Sequence, residues 1–295
     1  MEVISEPGAF RAACAAARRR EHDVALVPTM GALHAGHTSL LHRARTESTW
    51  PFLAMSIFVN PLQFGPGEDL AAYPRQLDRD LAVAEADGCD VVFAPTEDGM
   101  YPRGRPDVTV DPGPLGGRLE GRSRPGHFRG VLTVVAKLMA LAGPCRAYFG
   151  EKDAQQLELV RRMVSALDLP VQVVSCPTVR EPDGVAMSSR NVRLAPAERR
   201  AAPVLYRALE AGARAAGCPG ARADTVRHEA TTVIEAEALA RLDYVAIVDD
   251  VTWEAVDVVD RACRILGAIW IGRTRLIDNL SVGGPARADV HNSGR

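Results

Sequence analysis

Apolar runs long enough to cross a bilayer are missing from the sequence, which excludes a helical membrane span. The opening residues, MEVISEPGAF, lack the basic and apolar regions of a secretory leader, so a cytoplasmic chain is expected. Charge of one sign is missing too. The 35 Lys and Arg residues nearly balance 37 Asp and Glu residues, leaving a formal net charge of −2. With no domain-wide basic face, a nucleic-acid partner is not expected. The one basic run, Arg18–Arg20, reads as a solvated helix end favoured by the helix dipole. Cysteines are few and scattered. Cys14, Cys89, Cys145, Cys176, Cys218 and Cys263 form no Cys-x-x-Cys pair and read as reduced, buried, small apolar residues. No internal repeat is present. What is there is globular composition, 47% apolar and 24% charged over 295 residues, enough for one large or two ordinary domains.

Short apolar runs alternate with helical patterns through the first part of the chain. Strands are expected at Val24–Val27, Phe52–Val59, Asp90–Ala94, Ala147–Phe149 and Val171–Cys176. Helices are expected at Pro7–Arg20, Gly36 to about Glu47, Leu77–Asp87, Val131–Leu141 and Asp153–Leu167. In the last of these Asp153 and Gln156 are spaced as a capping box. Tyr101–Gly126, rich in Pro, Gly and Arg, has no period and reads as a long functional loop. Strands and helices joined by short turns give an α/β fold, a parallel sheet with helices on both faces. Ligands in such folds bind beyond the carboxyl ends of the strands, where His34, His37, Asn60, Gln63, Lys152 and Gln156 all fall.

After Pro177 the character changes. A turn at Glu181–Gly184 and a polar loop at Ala186–Arg190 precede two Ala-rich helical stretches, Pro196–Ala216 and Ala221–Leu242. Strands at Tyr244–Val248, Ala262–Ile271 and Arg275–Asn279 have short connections and so are at least partly antiparallel. This is a smaller α+β domain. The expected division is 1–178, 179–283 and a frayed tail at 284–295.

The chain is organised around residues 26–41, LVPTMGALHAGHTSLL. An apolar strand stops at Pro28, a small-residue turn follows, and a helical pattern begins after Gly36. His34 and His37 lie on one side of a helix start, where free N–H groups and the dipole favour an anion. Gly31, Ala32, Ala35 and Gly36 leave room for a large ligand against the backbone. A nucleotide phosphate fits these features; a surface turn or half of a metal site fits the two histidines alone.

Six ordered segments widen the view: PTMGALHAGH (28–37), SIFVNPLQF (56–64), AYPR (72–75), HFRGVLTVV (127–135), YFGEKDAQQL (148–157) and PTVREPDGVAMSSRN (177–191). Together they resemble the pantoate–β-alanine ligase (pantothenate synthetase) family, within the H-x-G-H nucleotidylyltransferases. The resemblance implies a Rossmann-like first domain, a smaller C-terminal lid domain, a homodimer, and a cytoplasmic ligase of pantothenate and coenzyme A biosynthesis. It implies an ATP site at Met30, Gly31, Ala32, Leu33, His34, Ala35, Gly36 and His37, with further contacts from Gly150, Glu151, Lys152, Asp153, Val179, Met187, Ser188, Ser189 and Arg190. His37 is the residue usually named as proton donor, and His34 and Lys152 join it as catalytic groups. Gln63 and Gln156 look like the pair that holds pantoate, Gln63 also near β-alanine, and His127 lies in a matching segment. Mg²⁺ accompanies ATP, with its protein ligands unassigned: Arg79, beside Asp80, stands where some relatives are more acidic. Ala154 replaces a common aromatic.

The implied reaction is adenylation of the pantoate carboxylate, with pyrophosphate leaving, followed by attack of the β-alanine amine and release of AMP. A carboxylate is already a nucleophile, so the first step needs positioning and charge cancellation, from Lys152, His34, His37 and Arg190. Blander readings stand beside these. Lys152 fits a solvated helix start, Gln156 a cap, Ser188–Ser189 a plain turn, and Asp249–Asp250 an acidic loop more readily than a metal site. Two other function classes fit the nucleotide motif alone: a different H-x-G-H adenylyltransferase, and a non-catalytic nucleotide-binding module.

Overall fold

The computed structural model describes residues 1–68, 70–71 and 73–284. The expected tail from 285 onward, and Ala72 of the AYPR segment, lie outside the described residues. The chain divides into two compact units, one from Met1 to Pro177 and one beginning at Thr178.

The first unit contains six strands: β1 (Glu2–Ile4), β2 (Asp23–Thr29), β3 (Pro51–Ile57), β4 (Val91–Phe93), β5 (Cys145–Gly150) and β6 (Val171–Cys176). Its helices are α1 (Pro7–Arg19), α2 (Ala35–Glu47), α3 (Leu77–Ala86), α4 (Glu97–Met100), α5 (Glu120–Ser123), α6 (His127–Ala142) and α7 (Ala154–Ala166). The strands form one sheet in the order β1-β4-β3-β2-β5-β6, and every pairing is parallel. The chain builds outward from β2 to β3 and β4, then returns and builds the other way through β5 and β6. Successive strand residues point to opposite faces. Ala25 and Val27 pack with Leu40, Leu41 and Ala44 of α2 and with Ala84 of α3. The alternate residues Val24 and Leu26 are buried on the other face, where α1 and α6 lie. There Phe10 stacks on Phe93 at 4.6 Å. Cover on both faces is why these strands read as unbroken apolar runs.

The second unit holds α8 (Pro196–Ala201), α9 (Val204–Ala216) and α10 (Ala223–Glu235), and an antiparallel sheet of β7 (Ala240–Asp249), β8 (Cys263–Ile271) and β9 (Thr274–Val282). Val204, Ala208 and Leu209 of α9 and Val226, Ala230 and Ile234 of α10 pack with Ile265 and Ile269 of β8. No helix among the described residues is long and apolar enough to cross a membrane.

Several expectations needed correction. β1 was not anticipated; three residues carry too little pattern, and it forms because β4 offers it a parallel partner. The stretch Pro196–Ala216 is two helices, parted at Ala202 and Pro203. The helix expected to reach Leu242 stops at Glu235, and Ala240–Leu242 join β7 because Ile269–Ile271 of β8 pair with them. The long loop 101–126 contains two short helical turns, Pro114–Gly117 and α5. Gln155 pins them, donating to the Leu115 and Arg118 carbonyls and accepting from the Glu120 N–H. Asp249 and Asp250 are buried, not an open acidic loop, and pair with Arg261 at 2.6 Å and Arg264 at 2.8 Å. Cys218 is exposed and Cys145 only partly buried, whereas the other four cysteines are buried.

One close approach in the first unit bears on the site. Helix α6 begins at His127, ahead of the expected Val131, and its Gly130 lies against the 3₁₀ turn Pro61–Gln63. A Cβ at Gly130 would overlap the Leu62 carbonyl. Replacement of an interior helix glycine by alanine ordinarily stabilises by about 1 kcal/mol. Gly130→Ala is instead expected to destabilise by about 1–3 kcal/mol, because the turn must move to admit the methyl. Chemical denaturation measures this, and a midpoint at or above wild type would contradict the packing.

Candidate active site

The strand order reverses between β2 and β5, so the segments leaving their carboxyl ends emerge side by side. In an open α/β sheet that reversal opens the crevice where ligands bind. Residues 30–37 leave β2, and Gly150–Asp153 leave β5.

After β2 the chain makes a left-handed turn, with φ of 79° at Gly31 and 52° at Ala32. A Cβ at Gly31 would stand 2.7 Å from Asp80 Oδ2, so conformation and space both select glycine. Thr29 Oγ1 donates to the Ser56 carbonyl at 2.7 Å and accepts from the Gly31 N–H at 3.1 Å, tying the turn to β3. Asp80 of α3 accepts from the N–H groups of Ala32 and Leu33, each at 2.8 Å.

His34 is the N-cap of α2. Its Nδ1 accepts from the Gly36 N–H at 3.1 Å, and His37 Nδ1 accepts from the His34 N–H at 3.3 Å. The two imidazoles form a reciprocal cap, at the spacing that Ser/Thr and Glu use in a capping box. An Nδ1 that accepts from a backbone N–H leaves the ring proton of a neutral imidazole on Nε2. The ring centroids are 4.1 Å apart. Burial first, then the neighbouring His34 and Lys152, push the His37 pKa down to about 3, with Asp153 opposing. His37 is therefore a neutral hydrogen-bond donor at pH 7.

Lys152 lies in the 3₁₀ turn Glu151–Asp153, its side chain 18% exposed and its Nζ 3.7 Å from Asp153 Oδ1. That burial does not fit a solvated helix end. The expected capping box between Asp153 and Gln156 is absent: Asp153 is the N-cap of α7 but makes no side-chain cap bond, because the preceding residues already turn as 3₁₀ helix. Gln156 is partly buried in the first turn of α7, and Ala154 is buried at its start.

Gln63 is buried at the end of the turn after β3. Its Nε2 lies 2.9 Å from Met30 Sδ, and its Oε1 accepts from Asn60 Nδ2 at 3.2 Å. Asn60 is fully buried; Nδ2 also donates to the Gly130 carbonyl at 3.0 Å, while Oδ1 accepts from Tyr101 at 2.9 Å. The Gln63 carbonyl meets His127 Nδ1 at 2.8 Å, and His127 Nε2 lies 3.0 Å from Arg124, which pairs with Glu68. Burial, then Arg124, lowers the His127 pKa to about 4, so this ring too is neutral. With Nε2 facing a guanidinium, Nδ1–H donates to Gln63.

Val179, Met187, Ser188, Ser189 and Arg190 belong to the second unit. The Met187 N–H donates to the Val179 carbonyl at 2.9 Å, and Arg180 bridges to Ala186, so 179–187 is a small hairpin around the turn at Glu181–Gly184. Arg180 holds it, pairing with both oxygens of Asp278 and lying 4.1 Å over the Tyr206 ring. Ser188 Oγ accepts from the Arg190 N–H at 3.3 Å, the turn role its sequence suggested.

Sequence reasoning missed Asp80 and Gln155 as organisers of the site's backbone. In the sequence Asp80 stands out only as the neighbour of Arg79. Arg79 is exposed and bonds Gln76 at 2.9 Å. No group of three or more His, Cys, Asp or Glu residues that could hold a metal ion exists among the described residues.

The family model described as pantoate-beta-alanine ligase matches residues 2–281. A pantothenate synthetase of Roseiflexus castenholzii is 55% identical over 280 residues, covering 95% of this chain and 98% of that protein. A crystal structure of pantothenate synthetase from Thermus thermophilus matches with a TM-score of 0.88 at 48% identity, covering 97% of this chain and 100% of that one. A crystal structure of pantoate-beta-alanine ligase from Francisella tularensis, complexed with beta-gamma ATP and beta-alanine, matches at 0.78 and 33% identity, over 95% and 97% of the two chains. Sequence, fold and motif order agree along nearly the whole length, and the chain belongs to the pantoate–β-alanine ligase family.

Proposed function

We infer that the chain joins pantoate to β-alanine at the expense of ATP, through a pantoyl adenylate, releasing pyrophosphate and AMP. The observation that carries this reading is the grouping of two imidazoles whose Nδ1 atoms cap the helix start, His37 neutral, with Lys152 beside the β2/β5 reversal and the neutral amide of Gln63 against the same turn through Met30. The Francisella relative complexed with beta-gamma ATP and beta-alanine supports the substrate class.

In the first half-reaction a pantoate carboxylate oxygen bonds to the α-phosphorus, and the bond from that phosphorus to the pyrophosphate oxygen breaks. His34 and His37 each offer an Nε2–H to the phosphates, and Lys152 offers a fixed positive charge. Met30–His37 and Gly150–Asp153 provide the nucleotide contacts of the first unit. The family resemblance names Val179 and Met187–Arg190 as further nucleotide contacts, Arg190 with a planar fork suited to phosphate. In the second half-reaction the β-alanine amine attacks the acyl carbon, the C–N bond forms, AMP leaves and the amine loses a proton. Gln63 and Gln156 hold pantoate. Because the Gln63 oxygen is engaged by Asn60, its amide presents N–H to the ligand without adding charge that would quench the nucleophile. Among the described residues no group of three or more His, Cys, Asp or Glu could hold a metal ion; Mg²⁺ bound with ATP would supply neutralisation of the phosphate charge. The family resemblance supports a cytoplasmic homodimer.

Incubation with ATP, pantoate and β-alanine is expected to yield AMP, pyrophosphate and pantothenate in equal amounts. A dinucleotide-like adduct without AMP would indicate a different adenylyltransferase, and no product a binding module. His37→Ala is expected to lower adenylate formation about 10²–10³-fold, the usual effect of losing one donor to developing charge, with the fold retained. Near-normal turnover in a folded variant would remove His37 from the mechanism. Gln63→Ala and Gln156→Ala are expected to weaken pantoate binding by about 1–3 kcal/mol each and ATP binding far less. Calorimetry showing unchanged pantoate affinity in both would refute the assignment.

A further inference from the structure

Asp80 is 2% exposed, and none of the chemistry above uses it. It sits in the first turn of α3, where the helix dipole favours a carboxylate. Both oxygens face backbone: Oδ2 accepts from Ala32 and Oδ1 from Leu33, each at 2.8 Å. The bonded backbone is the costly part of the turn. Ala32 has φ of 52°, a region that residues with a Cβ enter at a penalty and keep only where the surroundings enforce it. Two charge-assisted hydrogen bonds supply that enforcement. Leu33 is itself buried, and the next residue is His34, whose N–H and ring begin the imidazole cap. The conformation held by Asp80 therefore sets where both rings start. A negative charge beside a phosphate site works against an anionic ligand, so a carboxylate here needs a task that outweighs repulsion.

We propose that Asp80 is a positioning residue for the nucleotide: it clamps residues 31–33 in the left-handed turn that orients His34 and His37, with its oxygens committed to backbone N–H groups and not to a cation. This rests on the nucleotide reading of residues 30–37. The Asp80→Asn substitution keeps the volume and turns one acceptor into a donor facing an N–H group.

The test is steady-state kinetics and ATP calorimetry on wild type and Asp80→Asn. Asp80→Asn is expected to weaken ATP binding and to lower kcat/KM for ATP, each by about tenfold or more, the usual scale for a buried N–H left unpaired. The KM for pantoate and the Mg²⁺ concentration for half-maximal rate are expected to stay within about twofold, a split that a merely structural role would not produce. Unchanged ATP parameters in a folded variant overturn the proposal. So do equal losses for ATP and pantoate, and so does a raised Mg²⁺ requirement, which would reassign Asp80 to the cation. If Asp80→Asn does not fold, amide exchange in the ligand-free wild type decides. The Ala32 and Leu33 amides are expected to exchange about a hundredfold more slowly than in an unstructured peptide, and free exchange overturns the clamp. A wild-type chain that binds no ATP tells against the nucleotide reading itself, a result distinct from failure of the clamp, which amide exchange still measures.

Discussion

The candidate site of the first unit depends on one pairing, that of β2 with β5. The segments that leave these strands, 30–37 and 150–153, are far apart in sequence. They become neighbours because Ala25 and Leu26 pair with Arg146 and Ala147 in a parallel ladder. A parallel ladder brings both carboxyl ends to the same edge, so Lys152 and Asp153 exert their charges on His37. Were β5 added beyond β4 instead, the same motifs would lie at opposite ends of the sheet.

Electrostatics then shapes what the site can offer. His37, buried beside His34 and the Lys152 side chain, is held well below the ordinary imidazole pKa, and the two rings lie 4.1 Å apart. Because each Nδ1 accepts from a backbone N–H as a helix cap, the ring proton sits on Nε2, which is the nitrogen left to donate. The two rings thus satisfy backbone N–H groups that the helix start would otherwise leave unpaired. Around Gln63 the logic repeats with a buried network in which the neutral His127 ring donates to the Gln63 carbonyl and Asn60 fixes its amide. Buried polar groups with every partner in place are rigid, and rigidity is what positioning catalysis requires.

In the second unit a different device does comparable work. The hairpin at 179–187 is short and would not stand alone. Arg180 anchors it to β9 through Asp278 and to α9 through the face of Tyr206. Outside that anchor, Arg199 pairs with Asp183 at 2.6 Å at the tip of the turn.

The sequence by itself determined the α/β class, most elements of the parallel sheet, the family, and the candidate residues 30–37, 63, 150–153 and 156. It could do so because apolar periodicity, Gly and Pro punctuation and short ordered motifs are local properties. Only the tertiary structure decided which polar residues serve distant backbone groups. Asp80 and Gln155 looked like ordinary helix residues, and their partners at Ala32, Leu33, Leu115 and Arg118 are distant in the chain. The capping box at Asp153 had the right spacing and failed, because a 3₁₀ turn had already used the helix start. Ala240–Leu242 carried helical composition and became strand, because β8 offered a ladder that intrinsic propensity could not outweigh. Hydrogen-bond partners and strand neighbours are set by how elements pack, and that information is spread over the whole chain.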